Sequence, residues 1–293
     1  MFPKAFDYFA PQSLDEALNL TERYGEEVRV LAGGQSLIPL MKLRFLFPTY
    51  IVDLNRIPEL RGIEEHAGEV RCGAMVRYCE IERSSMLRRR IPLLYEAVTE
   101  IADVQVRNRG TLGGSLAQAD PASDWATVSL ALGARIRCIS RRGARTIEAS
   151  DFLKDTYTTA LEAGEILAEV RIPVPSPASK AVYIKMHRRA GDFAIASVAL
   201  QLTVDEGGRC ETIGLGLGGV GATPIAPNEV MEFLKGRVLS ESVIDEAGAM
   251  LVAKLEPIED IRGSADYKRR IAGVAFRRAF RRAMEQGSST EGK

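Results

Sequence analysis

Two short runs of glycine and hydroxyl residues are the strongest candidates for chemistry in this sequence. Arg107 to Trp125 reads RNRGTLGGSLAQADPASDW, in which Gly113 and Gly114 are flanked by Thr111 and Ser115 and a polar run ends in the carboxylate of Asp124. Leu31 to Leu37 reads LAGGQSL and repeats the pattern with Gly33, Gly34 and Ser36. Glycine reaches positive φ at little cost and lets a ligand approach the backbone with no Cβ in the way. Bracketed by hydroxyls, a glycine pair can turn exposed N–H groups toward phosphate oxygens. One Gly-Gly alone is as readily a turn. Two together predict two phosphates, or one long dinucleotide.

The elements that must position these runs can be read from periodicity. Ser13-Leu14-Asp15-Glu16 has capping-box spacing, and the helix it opens stops near Gly25. Val28 to Ala32 is apolar and β-branched, which predicts a buried strand running into Gly33-Gly34. A short helix at Pro39 and a second strand over Tyr50 to Leu54 complete a compact βαβ-like unit. Strand-like pieces around Gly68 and Gly73 follow, and then a helix over Ile91 to Ala102 with Pro92 in its first turn. Trp125 to Ala134 reads as a helix, with strands at Ala134 to Ser140 and Glu165 to Pro173. Three prolines in the five residues PVPSP, from Pro173, predict a linker and a domain boundary. Beyond it, Ala194 to Asp205 and Cys210 to Leu217 form a hairpin by pattern, followed by helices over Ser240 to Leu255 and Tyr267 to Met284. The polar tail, Gly287 to Lys293, is expected to fray.

Composition narrows the function classes. The 293 residues carry 39 Lys plus Arg and 39 Asp plus Glu, so no net field recruits nucleic acid or an anionic membrane. Cys72, Cys79, Cys138 and Cys210 lack the C-x-x-C pairing of zinc and many iron–sulfur sites, so reduced, mostly buried thiols are expected and no metal. MFPKAFDYFAPQ has no apolar stretch of secretory type, and no run approaches the ~20 apolar residues of a membrane span. A cytoplasmic protein is the expectation.

Three patterns invite misreading. Gly214-Leu215-Gly216-Leu217-Gly218-Gly219 fits G-x-G-x-x-G after a strand, yet Pro224 and Pro227 replace the helix that a dinucleotide fingerprint requires, so a structural strand end is expected. His66 and His187 have no serine or cysteine in a nucleophile-elbow setting, and no catalytic residue is assigned. KRRIAGVAFRRAFRRAM forms a basic amphipathic helix, read as docked on its own core with a solvated charged face.

The sequence resembles the medium, FAD-binding subunit of the molybdenum hydroxylases, the group of carbon monoxide dehydrogenase and xanthine dehydrogenase. AGGQSLIPLMKLR from Ala32, VRNRGTLGGSLAQADPASD from Val106, YIKMHRRAGDFAIASVAL from Tyr183 and DIRGSADYKRRIAGVAFRRAF from Asp260 carry the likeness, in that order. The resemblance implies an α+β chain: a two-subdomain FAD domain of the p-cresol methylhydroxylase (PCMH) type over 1–177, divided near 58, and a smaller C-terminal α+β domain over 178–287. It implies FAD as cofactor. Ala32, Gly33, Gly34, Gln35, Ser36 and Leu37, with Thr111, Gly113, Gly114 and Ser115, would hold the pyrophosphate and neighbouring groups. Asp124 would hydrogen-bond the cofactor, Ile101, Leu167 and Lys185 would line its site, and Phe193 would lie near the isoalloxazine ring.

The family's large subunit bears a molybdenum cofactor and its small subunit bears [2Fe–2S] clusters. Both are implied partners, with an external acceptor such as NAD, a quinone or oxygen. A free-standing flavin oxidase or dehydrogenase of the same fold is the alternative. Gln35 and Gln118 stand where some relatives have histidine, which weakens a carbon monoxide-specific assignment. Trp125 either restricts access to the acceptor or anchors its helix, and Phe193 lacks a phenol and can only pack.

Overall fold

The structure is a computed structural model that describes residues 2–286; the tail expected to fray lies outside them. It opens with β1 (Asp7–Phe9), α1 (Leu14–Tyr24), β2 (Val28–Leu31), α2 (Leu37–Lys42) and β3 (Tyr50–Asp53). β3 lies between β1 and β2 and pairs parallel with both, so the βαβ-like unit gains a strand that the sequence pattern did not show. Ser13 caps α1 by accepting from the Glu16 N–H at 3.2 Å. The Glu16 carboxylate takes the Gln12 N–H at 2.8 Å, one residue before the position the capping box predicts. Gly25 ends the helix with φ +52°.

The next unit comprises β4 (Ile63–His66), β5 (Glu69–Gly73), α3 (Tyr78–Arg83), α4 (Ser85–Arg90), α5 (Pro92–Val98), α6 (Val104–Arg107), α7 (Leu112–Gln118) and α8 (Asp124–Ala131). It continues through β6 (Arg135–Ser140), β7 (Gly143–Glu148), α9 (Ala149–Phe152), β8 (Leu153–Asp155), β9 (Thr158–Thr159) and β10 (Ile166–Pro173). β10 is the centre of a five-stranded antiparallel sheet ordered β4-β5-β10-β6-β7. The helix expected over Ile91 to Ala102 stops at Val98, and Ala102 turns the chain with φ +50°.

A second difference concerns Gly113 and Gly114, which lie inside α7 with ordinary helical φ, although glycine is a poor helix former. The helix stands because Thr111 caps it and because Leu112, Gly113 and Leu116 are buried.

After an irregular 174–179 come β11 (Lys180–Met186), β12 (Ala196–Val204) and β13 (Cys210–Gly218), an antiparallel sheet in chain order. α10 (Asn228–Leu234), α11 (Glu241–Lys254) and α12 (Ala265–Glu285) follow. α12 is the basic amphipathic helix, and it buries Ala272, Ala275, Phe276, Ala279, Phe280 and Ala283 against β11 and β12. α5 and α8 cover the opposite face of the same sheet.

The glycines of the G-x-G-x-x-G run explain how α8 comes so close. A Cβ on Gly214 would sit 1.9 Å from the Ala131 carbonyl oxygen, and one on Gly216 would sit 2.1 Å from that of Thr127. The run is a strand that seats a helix backbone.

Candidate functional site

The loop from β2 to α2 presents unspent hydrogen-bond donors. The backbone N–H groups of Gly33, Gly34, Gln35 and Ser36 have no partner among the described residues. Gly34 holds φ +76°, which turns the chain toward α2. Gln35 donates to the Gly33 carbonyl at 3.4 Å, and Leu37 begins α2. Asn55 fixes this loop from beneath, since its side-chain amide donates to the Ala32 carbonyl at 2.8 Å and to Asp53 at 2.6 Å. No acidic residue occurs between Glu27 and Asp53 in the sequence, so the loop itself carries no carboxylate to repel an anion.

The second glycine pair does a different job. Leu112 N–H donates to the Val76 carbonyl at 2.9 Å, Gly113 to Ala74 at 2.9 Å, and Ser115 to Thr111 at 3.0 Å. Gly114 N–H donates to the Thr111 hydroxyl at 3.2 Å. The expectation that this run offers free N–H groups from positive-φ glycines is therefore corrected: its donors are spent on a short pairing with 74–78 and on its own helix.

Glycine is required here for contact. A Cβ on Gly113 would come within 2.5 Å of the Ala74 Cβ, and one on Gly114 within 3.2 Å of the Ala32 Cβ. Gly33 reciprocates, because its Cβ would stand 2.3 Å from the Arg109 carbonyl. The two runs meet as one surface, with donors on the Gly33 side and close packing on the Gly113 side.

A line of contacts runs on from this surface. The Ser115 hydroxyl lies 3.0 Å from that of Ser123, the N-cap of α8. The next residue is Asp124, 6% exposed, whose carboxylate accepts from the Tyr183 phenol and, at 3.0 Å, from the Lys185 ammonium. Burial pushes the Asp124 carboxyl above its ordinary range, against the opposing pull of Lys185 and Tyr183. Burial and the facing carboxylate drive the Tyr183 phenol well above its own.

Lys185 also donates to the Glu100 carbonyl at 3.1 Å. The Arg107 guanidinium holds the adjoining Ile101 and Ala102 carbonyls at 3.1 and 3.2 Å. Gly191, at φ +88°, passes over Ala102 and leads to Phe193, which is 49% exposed. Ile101 and Leu167 are buried in the same core, Leu167 at a bulge of β10.

Of the residues assigned to the cofactor from the sequence, all but Leu167 lie along this line or next to it, and Leu167 lies on β10 in the same buried core as Ile101. Asn55 and Arg107 were missed. Asn55 sits two residues after a strand-end aspartate, a common turn pattern that carries no sign of its long-range bond to Ala32.

Trp125 is 1% exposed and meets the Tyr78 ring edge-on at 5.4 Å, so it anchors α8 in the core. Burial pushes the Tyr78 phenol up to about 12. All four cysteines are free and buried, with thiols pushed up to about 12 at Cys72 and about 11 at Cys138 and Cys210. Among the described residues no cluster of His, Cys, Asp and Glu could hold a metal ion, and no helix is long and apolar enough to cross a membrane.

Comparison with known proteins gives two family matches in series. Residues 4–175 match the FAD binding domain in molybdopterin dehydrogenase, and residues 181–283 match the CO dehydrogenase flavoprotein C-terminal domain. The chain is 40% identical over 283 residues to the carbon monoxide dehydrogenase medium chain of Afipia carboxidovorans, covering 97% of this chain and 98% of that one. It is also 40% identical over 281 residues to the glyceraldehyde dehydrogenase medium chain of Sulfolobus acidocaldarius, covering 96% and 99%. A solved carbon monoxide dehydrogenase from Hydrogenophaga pseudoflava superimposes with a TM-score of 0.95 at 39% identity, covering 98% of this chain and 99% of that chain.

Proposed function

The chain belongs to the FAD-binding medium-subunit family of the molybdenum hydroxylases, and on that premise we propose that it takes electrons from a partner's iron–sulfur clusters into FAD and delivers them to an external acceptor. The observation that carries this reading is the row of unpaired N–H groups from Gly33 to Ser36 in an acid-free stretch. Such a row fits a pyrophosphate, whose charge the backbone dipoles offset without a lysine cluster. When bound, FAD supplies the redox chemistry, and the protein supplies its position and field.

The residues divide that work. Gly33 to Ser36 would bind the pyrophosphate, while Gly113 and Gly114 would keep the two runs close enough to form one wall. Thr111 and Ser115 would shape that wall, with Leu37 behind it. Asp124 and Lys185 would fix the far end of the site, lined by Ile101 and Leu167, and Phe193 would flank the isoalloxazine. The chain divides on this reading into a FAD-binding domain over 1–177 and a C-terminal domain over 178–287 that contributes Lys185 and Phe193 to the site.

Substrate oxidation belongs to another chain. The two relatives at 40% identity are named for carbon monoxide and for glyceraldehyde, so likeness in this chain does not follow substrate. A large molybdenum-bearing subunit and a small [2Fe–2S] subunit are the partners proposed. The test is to titrate the purified chain with FAD and then offer it aldehydes and purines. Binding of one FAD per chain without turnover is expected. An inability to take up flavin, or rapid reduction of the bound flavin by a small substrate with no partner present, would overturn the reading.

A further inference from the structure

Phe193 exposes 49% of its surface, yet one face of the ring is covered. The guanidinium carbon of Arg262 lies 5.3 Å from the ring centroid, within range of a cation–π contact. Arg262 reaches Phe193 from a distant part of the chain, and three bonds hold it there. Its Nη1 donates to Asp260 Oδ2 at 2.8 Å, its backbone N–H donates to Asp260 Oδ1 at 2.8 Å, and its carbonyl accepts from Arg188 at 3.3 Å.

Asp260 is itself fixed. The Lys268 ammonium lies 2.9 Å from Asp260 Oδ1 and also donates to the Ile258 carbonyl at 2.8 Å. Lys268 is 4% exposed and belongs to α12, the longest helix among the described residues. The turn between them closes on itself, with Asp260 and Gly263 exchanging backbone hydrogen bonds at 3.3 and 3.1 Å. Lys268, Asp260 and Arg262 thus form a hydrogen-bonded strap from α12 to the covered face of Phe193.

We propose that Arg262, held by Asp260 and Lys268, is a positioning residue that sets the plane of the Phe193 ring and so fixes one wall of the flavin site. This rests on the reading that Phe193 flanks the isoalloxazine. A half-exposed phenyl ring without its cover would sample several rotamers, and ordering it would then fall on cofactor binding. With the guanidinium in place, the ring is ordered before the flavin arrives.

The experiment uses the full-length chain titrated with FAD, followed by flavin fluorescence anisotropy and the midpoint potential of the bound cofactor. Arg262→Ala is expected to weaken FAD binding by about two- to fivefold and to lower the fluorescence anisotropy of the bound flavin, one wall of whose site is no longer ordered. Arg262→Lys, which can still place a cation over the ring, is expected to recover most of both. Arg262→Gln keeps much of the side-chain length without the charge, and it stands in should the alanine variant fail to fold. Unchanged affinity and anisotropy in the Ala and Gln variants, with FAD bound, would overturn the proposal and leave the flavin reading standing. A wild-type chain that takes no FAD would overturn both.

Discussion

The Asp124 carboxylate and the Lys185 ammonium lie 3.0 Å apart with 7% and 1% of their side chains exposed, one on α8 and the other on β11. A buried pair of this kind is more informative broken than intact. Asp124→Asn strands a buried ammonium and is expected to cost about 3–5 kcal/mol in urea unfolding. Lys185→Met should cost less, because a carboxyl already pushed upward by burial can take a proton. The double variant should lose less than the sum of the two, and strict additivity would show that the pair is not coupled.

The two glycine pairs should separate by phenotype. Gly113→Ala places a Cβ 2.5 Å from that of Ala74 and is expected to lower stability by about 1–3 kcal/mol with or without FAD. Ser36→Ala removes a hydroxyl that caps nothing at the start of α2 and has no partner among the described residues. It should leave the apo melting temperature unchanged while weakening FAD binding by the worth of one hydrogen bond, about 0.5–1.5 kcal/mol. Calorimetry on both forms of both variants distinguishes the roles.

Gly216→Ala tests the seat of α8. Its new Cβ would lie 2.1 Å from the Thr127 carbonyl, and a backbone atom cannot swing aside as a side chain can. A loss of about 1–3 kcal/mol in chemical denaturation is expected, larger than for Gly236→Ala, where space is open and only the positive φ resists.

Tyr183 supplies a pH signature. Its folded pKa is raised, so the stability it contributes is fully present below the unfolded tyrosine value of about 10 and is lost as pH rises through the folded value. The gap in melting temperature between wild type and Tyr183→Phe should be flat from neutral pH to about 9 and narrow above 10. A gap that widened in alkali would contradict the protonated phenol bound to Asp124.

Much of this was legible in the sequence because local rules and tertiary packing agree. Ser13, Gly25, Pro92 and the alternation along β12 and β13 mark their elements with the residue types those geometries require. A strand running into Gly33 and Gly34 was legible and is β2, although it was expected to be buried and Val30 is exposed. Gly113 and Gly114 were misjudged for a physical reason: close approach and positive φ both select glycine, and only coordinates tell them apart. The line from Ser115 through Asp124 and Lys185 to Phe193 joins residues up to 85 positions apart in a single bond, and no spacing rule reaches that far.

All eight residues of α8 are buried, from Asp124 at its N-terminus to Ala131, although the helix is only two turns long. It therefore has no outer side, and it serves as a party wall between the cofactor unit and the sheet that follows. The chain looks modular, yet its halves share that wall. Cut at the proline-rich connector, the N-terminal half would face water with an apolar helix and a carboxylate stripped of its partners, so the two halves must be made, kept and exchanged together.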